Sequence, residues 1–375
     1  MFSYWEEQSF VHYDHVIIGA GIVGLSVGIE LKKKYPDQAV LVLERGLIPT
    51  GASTRNAGFA CMGSLTEILD DLQNTKESTV VQIFEWRKRG LEMLRERLGD
   101  AKIGYAQNGS HELIAEKDLD ALGNMEYVNW ILKNIAGKPS FRRCDERIAD
   151  FGFSTSSTAA LIENTNEGEL HTGKMMRALI EYANKQGVEI RTGADVDKYE
   201  ESANRVTISL KDRFRKTAYT LECSTLSLCT NAFTKDLMKK AEATPGRGQI
   251  LITKPIENLK FKGIFHIDKG YYYFRELDGR ILIGGGRNSD ISGETTTDFD
   301  TSNKIQKLLE QKLSEQIIPG VKFEVEQRWS GIMAFGETKK PVVQQFTDRV
   351  YGAFKMGGMG VALGSYCAKE LAAII

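Results

Sequence analysis

His15–Arg45 reads HVIIGAGIVGLSVGIELKKKYPDQAVLVLER, and the rest of the chain is arranged around it. Val16-Ile17-Ile18 is a short apolar run of the kind that forms a buried parallel strand. Gly19, Gly21 and Gly24 follow in GxGxxG spacing, and Ile22 to Lys34 has the composition of a helix with Lys32, Lys33 and Lys34 in its last turn. Cations suit the negative end of a helix dipole. After Tyr35-Pro36-Asp37, a second apolar run, Ala39 to Leu43, ends at Glu44, 20 residues beyond Gly24. Each part has a mechanical role in holding a dinucleotide. Gly19 permits the tight turn, Gly21 lets the backbone approach a pyrophosphate, and Gly24 lets helix and strand pack closely. The helix N-terminus faces the phosphates, and Glu44 can accept hydrogen bonds from a ribose diol. A bare GxGxxG recurs by chance. Strand, glycines, helix, second strand and terminal acid in register point to a nucleotide site, against a purely structural βαβ unit.

With 375 residues the chain is long enough for two domains and a sizeable core. Apolar residues are 42% and charged residues 26%, an ordinary globular balance. Lys+Arg of 49 against Asp+Glu of 50 leaves −1, which gives no reason to expect a nucleic-acid partner. No apolar run is long enough for a transmembrane segment, and MFSYWEEQSFVHYD lacks the pattern of a secretory signal. The five cysteines are scattered and lack CxxC spacing, so they read as reduced thiols of a cytoplasmic protein with no metal site.

Further along, GASTRNAGFACMGS (51–64) is rich in glycine and hydroxyls and suits a loop held against a ligand. Thr75 to Gly99 predicts a long helix whose apolar stripe is core. Ala159–Ile162 and Thr225–Cys229 read as strands, with Thr172 capping a helix between them, so 15–45 and 159–229 form two β-α-β passages. Gln249–Thr253, Tyr271–Phe274, Arg280–Gly284 and Val321–Arg328 suggest a mixed antiparallel sheet, and Val350–Ile375 returns to strand, glycine loop and helix.

The N-terminal unit, GASTRNAG, TLSLCTNAF (225–233), DGRILIGGG (278–286) and GGMGVALG (357–364) occur in an order that resembles the FAD-dependent D-amino-acid oxidase superfamily, which includes glycine oxidase, sarcosine oxidase and γ-glutamylputrescine oxidoreductase. The resemblance spans nearly the whole chain. It implies an α/β fold: a discontinuous Rossmann-like FAD-binding domain (1–70, 145–235 and 340–375) and an α+β substrate domain on a mixed antiparallel sheet (71–144 and 236–339). It places Gly19, Gly21 and Gly24 along the FAD pyrophosphate, Glu44 on the adenosine ribose and Arg45 beside the adenine end. Ser53, Thr54, Arg55, Asn56 and Gly58 would meet phosphates and flavin edge. The backbone of Val196 would meet adenine, and Thr230 and Asn231 would turn near the pyrophosphate. Gly358, Met359, Gly360 and Val361 would aim N–H groups at the flavin pyrimidine, where free donors at a helix N-terminus favour the anionic reduced ring.

Three departures carry consequences. Met333, in Gly331-Ile332-Met333-Ala334, stands where amino-acid oxidases of the superfamily place a carboxylate-binding arginine. Leu282 stands where sarcosine oxidases have an oxygen-linked lysine, and no cysteine lies between Trp329 and Tyr366 for covalent flavin attachment. The resemblance therefore implies non-covalent FAD and oxidation of a C–N bond in a small-molecule amine or amino acid, with hydride passing to flavin N5. Tyr271, Tyr273, Arg275 and Arg287 are the candidate substrate residues: aromatic edges wall a flat pocket and an arginine pairs with an acidic group. The competing reading makes the tyrosines core and Arg287 a solvated charge. One alternative function is 2-hydroxy-acid oxidation with His266 or His111 as base; another is a flavoenzyme acting on a modified tRNA base. The sequence leaves substrate, electron acceptor and oligomeric state open.

Overall fold

The computed structural model describes residues 2–211 and 219–375. The join between the paired strands Val206–Leu210 and Tyr219–Leu228 falls outside them. The opening unit folds as its pattern dictates: strand His12–Ile18, helix Ile22–Lys34 and strand Val40–Leu43. The helix is buried on most sides, with Leu25, Val27, Ile29 and Leu31 at 0% exposure. Each such side chain contributes roughly 1.5–3 kcal/mol of transfer free energy.

Five parallel strands form the centre of the first sheet, in the order Val350–Phe354, Tyr219–Leu228, His12–Ile18, Val40–Leu43, Glu189–Arg191. Val342–Gln345 closes one edge antiparallel, and Val206–Leu210 with Val196–Glu201 forms a side ribbon. Helix Gly360–Ile374 lies between helices Ile22–Lys34 and Glu77–Leu98. Small residues set that spacing: a Cβ on Gly364 would sit 2.6 Å from Ile22 Cγ2, and one on Gly90 2.1 Å from the carbonyl of Ala362. The close packing fixes where the N-terminus of the C-terminal helix points.

The second sheet has eight strands, in the order Val325–Phe335, Thr244–Thr253, Arg280–Gly285, Tyr272–Leu277, Ile264–Ile267, Ser110–Ile114, Ala160–Asn164, Arg142–Arg143. All neighbours are antiparallel except Ile264–Ile267 with Ser110–Ile114, so the expected mixed sheet is present. Its two faces alternate as strand geometry requires. Phe265 and Phe274, stacked at 4.7 Å, join Phe153 and Phe261 in an aromatic core. Their chain neighbours His266 and Tyr273 look the other way, toward the first sheet and a cavity.

Two local expectations are corrected. Ala160–Asn164 does not open a second β-α-β passage; it pairs with Ser110–Ile114 in the second sheet, so a domain boundary at 145 would cut that sheet. The helix Thr172–Lys185 is capped by His171, whose Nδ1 accepts the Lys174 N–H, and not by Thr172. Thr172 instead donates its hydroxyl to Asn56 Oδ1. No helix among the described residues is long and apolar enough to cross a membrane.

Candidate active site

A cavity of about 920 Å³ runs from the carboxyl ends of the parallel strands to the inner face of the second sheet. Ligands of open α/β sheets bind at that end of the strands. At the nucleotide end, Gly19 has φ +105°, and a Cβ there would stand 2.7 Å from the Cys229 carbonyl oxygen. Gly24 touches no cavity; its missing Cβ would lie 1.9 Å from the Gly19 carbonyl, so its role is helix–strand contact. Gly21 lines the cavity beside Ser53, whose hydroxyl accepts the Ile22 N–H at 3.0 Å.

Glu44 is 8% exposed, and its carboxylate is fixed by two backbone donors, Gly46 N–H at 2.9 Å and Ala20 N–H at 3.2 Å. Glu44 lines the cavity, and each carboxylate oxygen keeps acceptor capacity beyond its one backbone bond, as a ribose ligand requires. Arg45 lies over the Phe233 ring at 3.9 Å, and Val196 lines the same end. Thr230 and Asn231 also line it. Asn231, in a left-handed turn at φ 48°, accepts the Lys355 and Met356 N–H groups. That clamp anchors the loop Gly357–Met359, whose glycines have φ of 57° and 85°. Gly358, Met359, Gly360 and Val361 present the start of the C-terminal helix to the cavity, where the first N–H groups have no intrahelical acceptor.

The 51–64 segment is a built loop. Arg55 and Asn56 line the cavity; Arg55 donates to the carbonyls of Thr50 and Ser330, and Asn56 Oδ1 accepts the Gly58 N–H. Thr54 turns inward to the Pro49 carbonyl and does not line the cavity, nor does Gly58, which packs on Leu170.

At the far end, three of the four candidate substrate residues, Tyr271, Tyr273 and Arg287, line the cavity. Burial pushes the Tyr273 phenol up to about 12, so it stays a hydrogen-bond donor. A Cβ on the facing Gly284 would come within 2.6 Å of the Tyr273 ring, so glycine is what allows this ring to lie flat on the sheet. Arg275 is the exception. It is 6% exposed and does not line the cavity; Nη1 donates to the carbonyls of Leu170 (2.9 Å), Gly58 (3.3 Å) and Ala57 (3.4 Å), with Glu169 at 3.8 Å. Strand alternation puts it on the cavity face, but the 51–64 loop covers it there.

Met333 does face the cavity. Its thioether lies 3.3 Å from a Cβ built on Gly358 and its methyl 2.7 Å from one on Gly248. Leu282 packs on Ala57 and Ile250, 4% exposed. His111 lies outside the cavity, between Phe151 and Phe265, whereas His266 lines it. Burial holds the His266 imidazole neutral, down to about 4, with Glu67 pulling the other way.

Charged groups at this end escaped the sequence reading, because only tertiary contacts assemble them. Lys339 bridges Glu67 and Asp71, and Lys269 pairs with Asp70. Burial raises the Glu67 carboxyl, but Arg87 and Lys339 outweigh it and hold it at about 2. The Arg287 side chain, half-buried over the Phe335 ring at 4.1 Å, has no hydrogen bond or ion pair among the described residues.

Residues 14–374 match the family described as FAD dependent oxidoreductase. The chain belongs to that family. It is 24% identical over 386 residues to the Haemophilus influenzae protein named "Probable oxidoreductase OrdL", covering 97% of this chain and 83% of that one. It is 23% identical to the L-2-hydroxyglutarate dehydrogenase of Escherichia coli K12, covering 80% and 72%. Among solved structures, L-proline dehydrogenase from P. horikoshii superposes with TM-score 0.78 at 17% identity, covering 97% and 93%. Glycine oxidase from Geobacillus kaustophilus gives 0.75 at 19%, covering 96% and 93%. The protein is therefore an FAD-dependent oxidoreductase with this two-sheet fold. The cradle fits the cofactor: a missing side chain at Gly19 and Gly21, a fixed acid at Glu44 and a helix N-terminus at Gly360 fall along one cavity.

Proposed function

We propose that this enzyme oxidises the C–N bond of a small amine or amino acid bearing a carboxylate, with FAD held non-covalently, and that Arg287 holds the carboxylate. The observation that carries this is the unpaired, half-buried guanidinium of Arg287 at the end of the cavity remote from Glu44. Burial lowers the pKa of Arg287, and the neighbouring cations Lys269 and Lys339 are already neutralised by carboxylates. A half-buried guanidinium with no ion pair of its own, Glu294 acting on it only at a distance, favours an anionic ligand, which it can bind bidentately. It reaches the edge of the strand that carries Met333, so it supplies from another element what Met333 cannot. FAD, when bound, supplies the hydride acceptor. The chain's part is to fix the acid group at Arg287, wall the substrate with Tyr271 and Tyr273, and exclude water. The names of neighbouring structures, glycine oxidase and L-proline dehydrogenase among them, support an amino-acid-sized substrate. Five free, buried cysteines support a reducing, cytoplasmic setting.

A second reading, 2-hydroxy-acid oxidation, is favoured by the neutral imidazole of His266 in the cavity, which could accept a hydroxyl proton. Anaerobic mixing of the yellow protein with amine, amino-acid and 2-hydroxy-acid panels separates the two. Carboxylated amines should bleach the flavin, and Arg287→Met should raise KM for them at least roughly tenfold, the loss of about 1.5–3 kcal/mol for a charged hydrogen bond. Bleaching by hydroxy acids and by no amine would establish the second reading.

A further inference from the structure

Cys61, Glu167 and His266 come from three distant parts of the chain, yet their ligand atoms all lie within 4.8 Å of one another. All three are buried, at 5%, 0% and 6% exposure. Neither Glu167 Oε2 nor His266 Nε2 has a hydrogen-bond partner among the described residues. Orphaned polar atoms at such depth are rare and costly, and an unseen ion or water is one physical reason for them. Here a carboxylate and an imidazole, each carrying one such orphaned atom, converge on a thiol with no hydrogen bond among the three side chains. Donors around a tetrahedral zinc-type ion, at about 2.0–2.3 Å from it, stand roughly 3.3–3.8 Å apart: too far to hydrogen-bond well, close enough to share a cation.

We propose that Cys61, Glu167 and His266 bind a divalent cation of the zinc class in the wall of the substrate cavity. Sulfur, nitrogen and oxygen donors together suit zinc over magnesium or calcium. Thiolate and carboxylate cancel the double charge, so the filled site is neutral where burial penalises net charge. The carboxylate is already oriented: its Oε1 accepts the Met62 N–H at 2.6 Å and the Gly63 N–H at 3.2 Å, the outer support that metal ligands require. Cys61 and His266 both line the cavity, so the site borders it, and three protein ligands leave a fourth position for water or substrate. No spacing motif announces these ligands; the fold alone joins them. The site stands whichever substrate the enzyme takes, but a cation on Nε2 removes His266 as a proton acceptor and so bears on the hydroxy-acid route.

The test uses FAD-loaded protein, treated with chelator, dialysed and titrated with cobalt(II). A single equivalent should develop ligand-field bands to the red of flavin absorption and a thiolate-to-cobalt charge-transfer band in the difference spectrum, both displaced by zinc(II). Cys61→Ser should abolish the charge-transfer band, and Glu167→Gln should weaken binding at least roughly tenfold, with flavin content and circular dichroism unchanged. Absence of cobalt bands in the wild type, or a charge-transfer band that survives Cys61→Ser, overturns the proposal. Should the variants fold poorly, anomalous scattering from wild-type crystals soaked in zinc decides: a peak between the three side chains supports the site, and a peak only elsewhere refutes it.

Discussion

Glu44 is held by two backbone N–H groups, so its carboxylate is positioned before any cofactor arrives. A preorganised acceptor loses little freedom on binding a ribose diol, and each hydrogen bond to a charged acceptor is worth about 1.5–3 kcal/mol before compensation. Glu44→Ala should therefore weaken FAD binding at least roughly tenfold, read by titrating apoprotein with FAD and following flavin fluorescence. Unchanged affinity would remove Glu44 from the ribose site. At this scale the sequence pointed to residues that the fold does bring to one cavity, because Gly19, Gly21, Glu44 and the 357–361 loop are placed by local geometry that a short stretch encodes. The substrate half was legible only in outline. Strand alternation aims Tyr273 and Arg275 at the same face, and nothing in the local sequence says that the 51–64 loop closes over one and not the other.

Among elements, the 51–64 loop depends on Arg275 as a staple. One guanidinium nitrogen satisfies carbonyls on both the loop (Ala57, Gly58) and the segment ahead of helix Thr172–Lys185 (Leu170), and the side chain offsets the charge of Glu169. Arg275→Met keeps much of the bulk but leaves the buried Leu170 and Ala57 carbonyls without that donor and Glu169 without its cation, while the Gly58 carbonyl keeps the Leu170 N–H at 2.8 Å and Glu169 keeps Asn108 Nδ2 at 2.9 Å. It should cost about 2–3 kcal/mol of stability, measurable as a lower urea midpoint in excess FAD, while KM for substrate at saturating FAD stays near the wild-type value. A large rise in KM with unchanged stability would return Arg275 to the substrate site. The elements themselves divide by the range of their contacts. Ile22–Lys34 has in the structure the bounds that glycine punctuation and apolar pattern give it. Ala160–Asn164 was recognisable as a strand but not as a member of the second sheet, because its partners, Ser110–Ile114 and Arg142–Arg143, are set by tertiary pairing.

At the scale of the whole molecule, buried histidines contribute to the loss of stability in acid beside paired carboxylates such as Glu67, and His111 illustrates the sign. It is 1% exposed in the second sheet, stacked on Phe265 at 5.1 Å, with Arg147 Nη1 3.2 Å from its Nε2. Burial pushes its pKa down to about 4; Glu163 opposes this and Arg147 adds to it. In the unfolded chain the ring titrates near 6.5. Between those values the unfolded state binds a proton that the native state refuses, so native stability is fully present above about 6.5 and is lost as pH falls toward about 4. The loss from this one ring is on the order of 3 kcal/mol. His15, whose pKa burial also lowers, acts in the same direction. His111→Phe retains the aromatic stack, and Arg147 keeps its bond to Glu163 at 3.1 Å. Chemical denaturation at pH 7.5 and at pH 5 should then show a smaller acid penalty in the variant than in the wild type. An equal penalty in both would mean that His111 does not titrate across unfolding, and that the acid limb belongs to other groups.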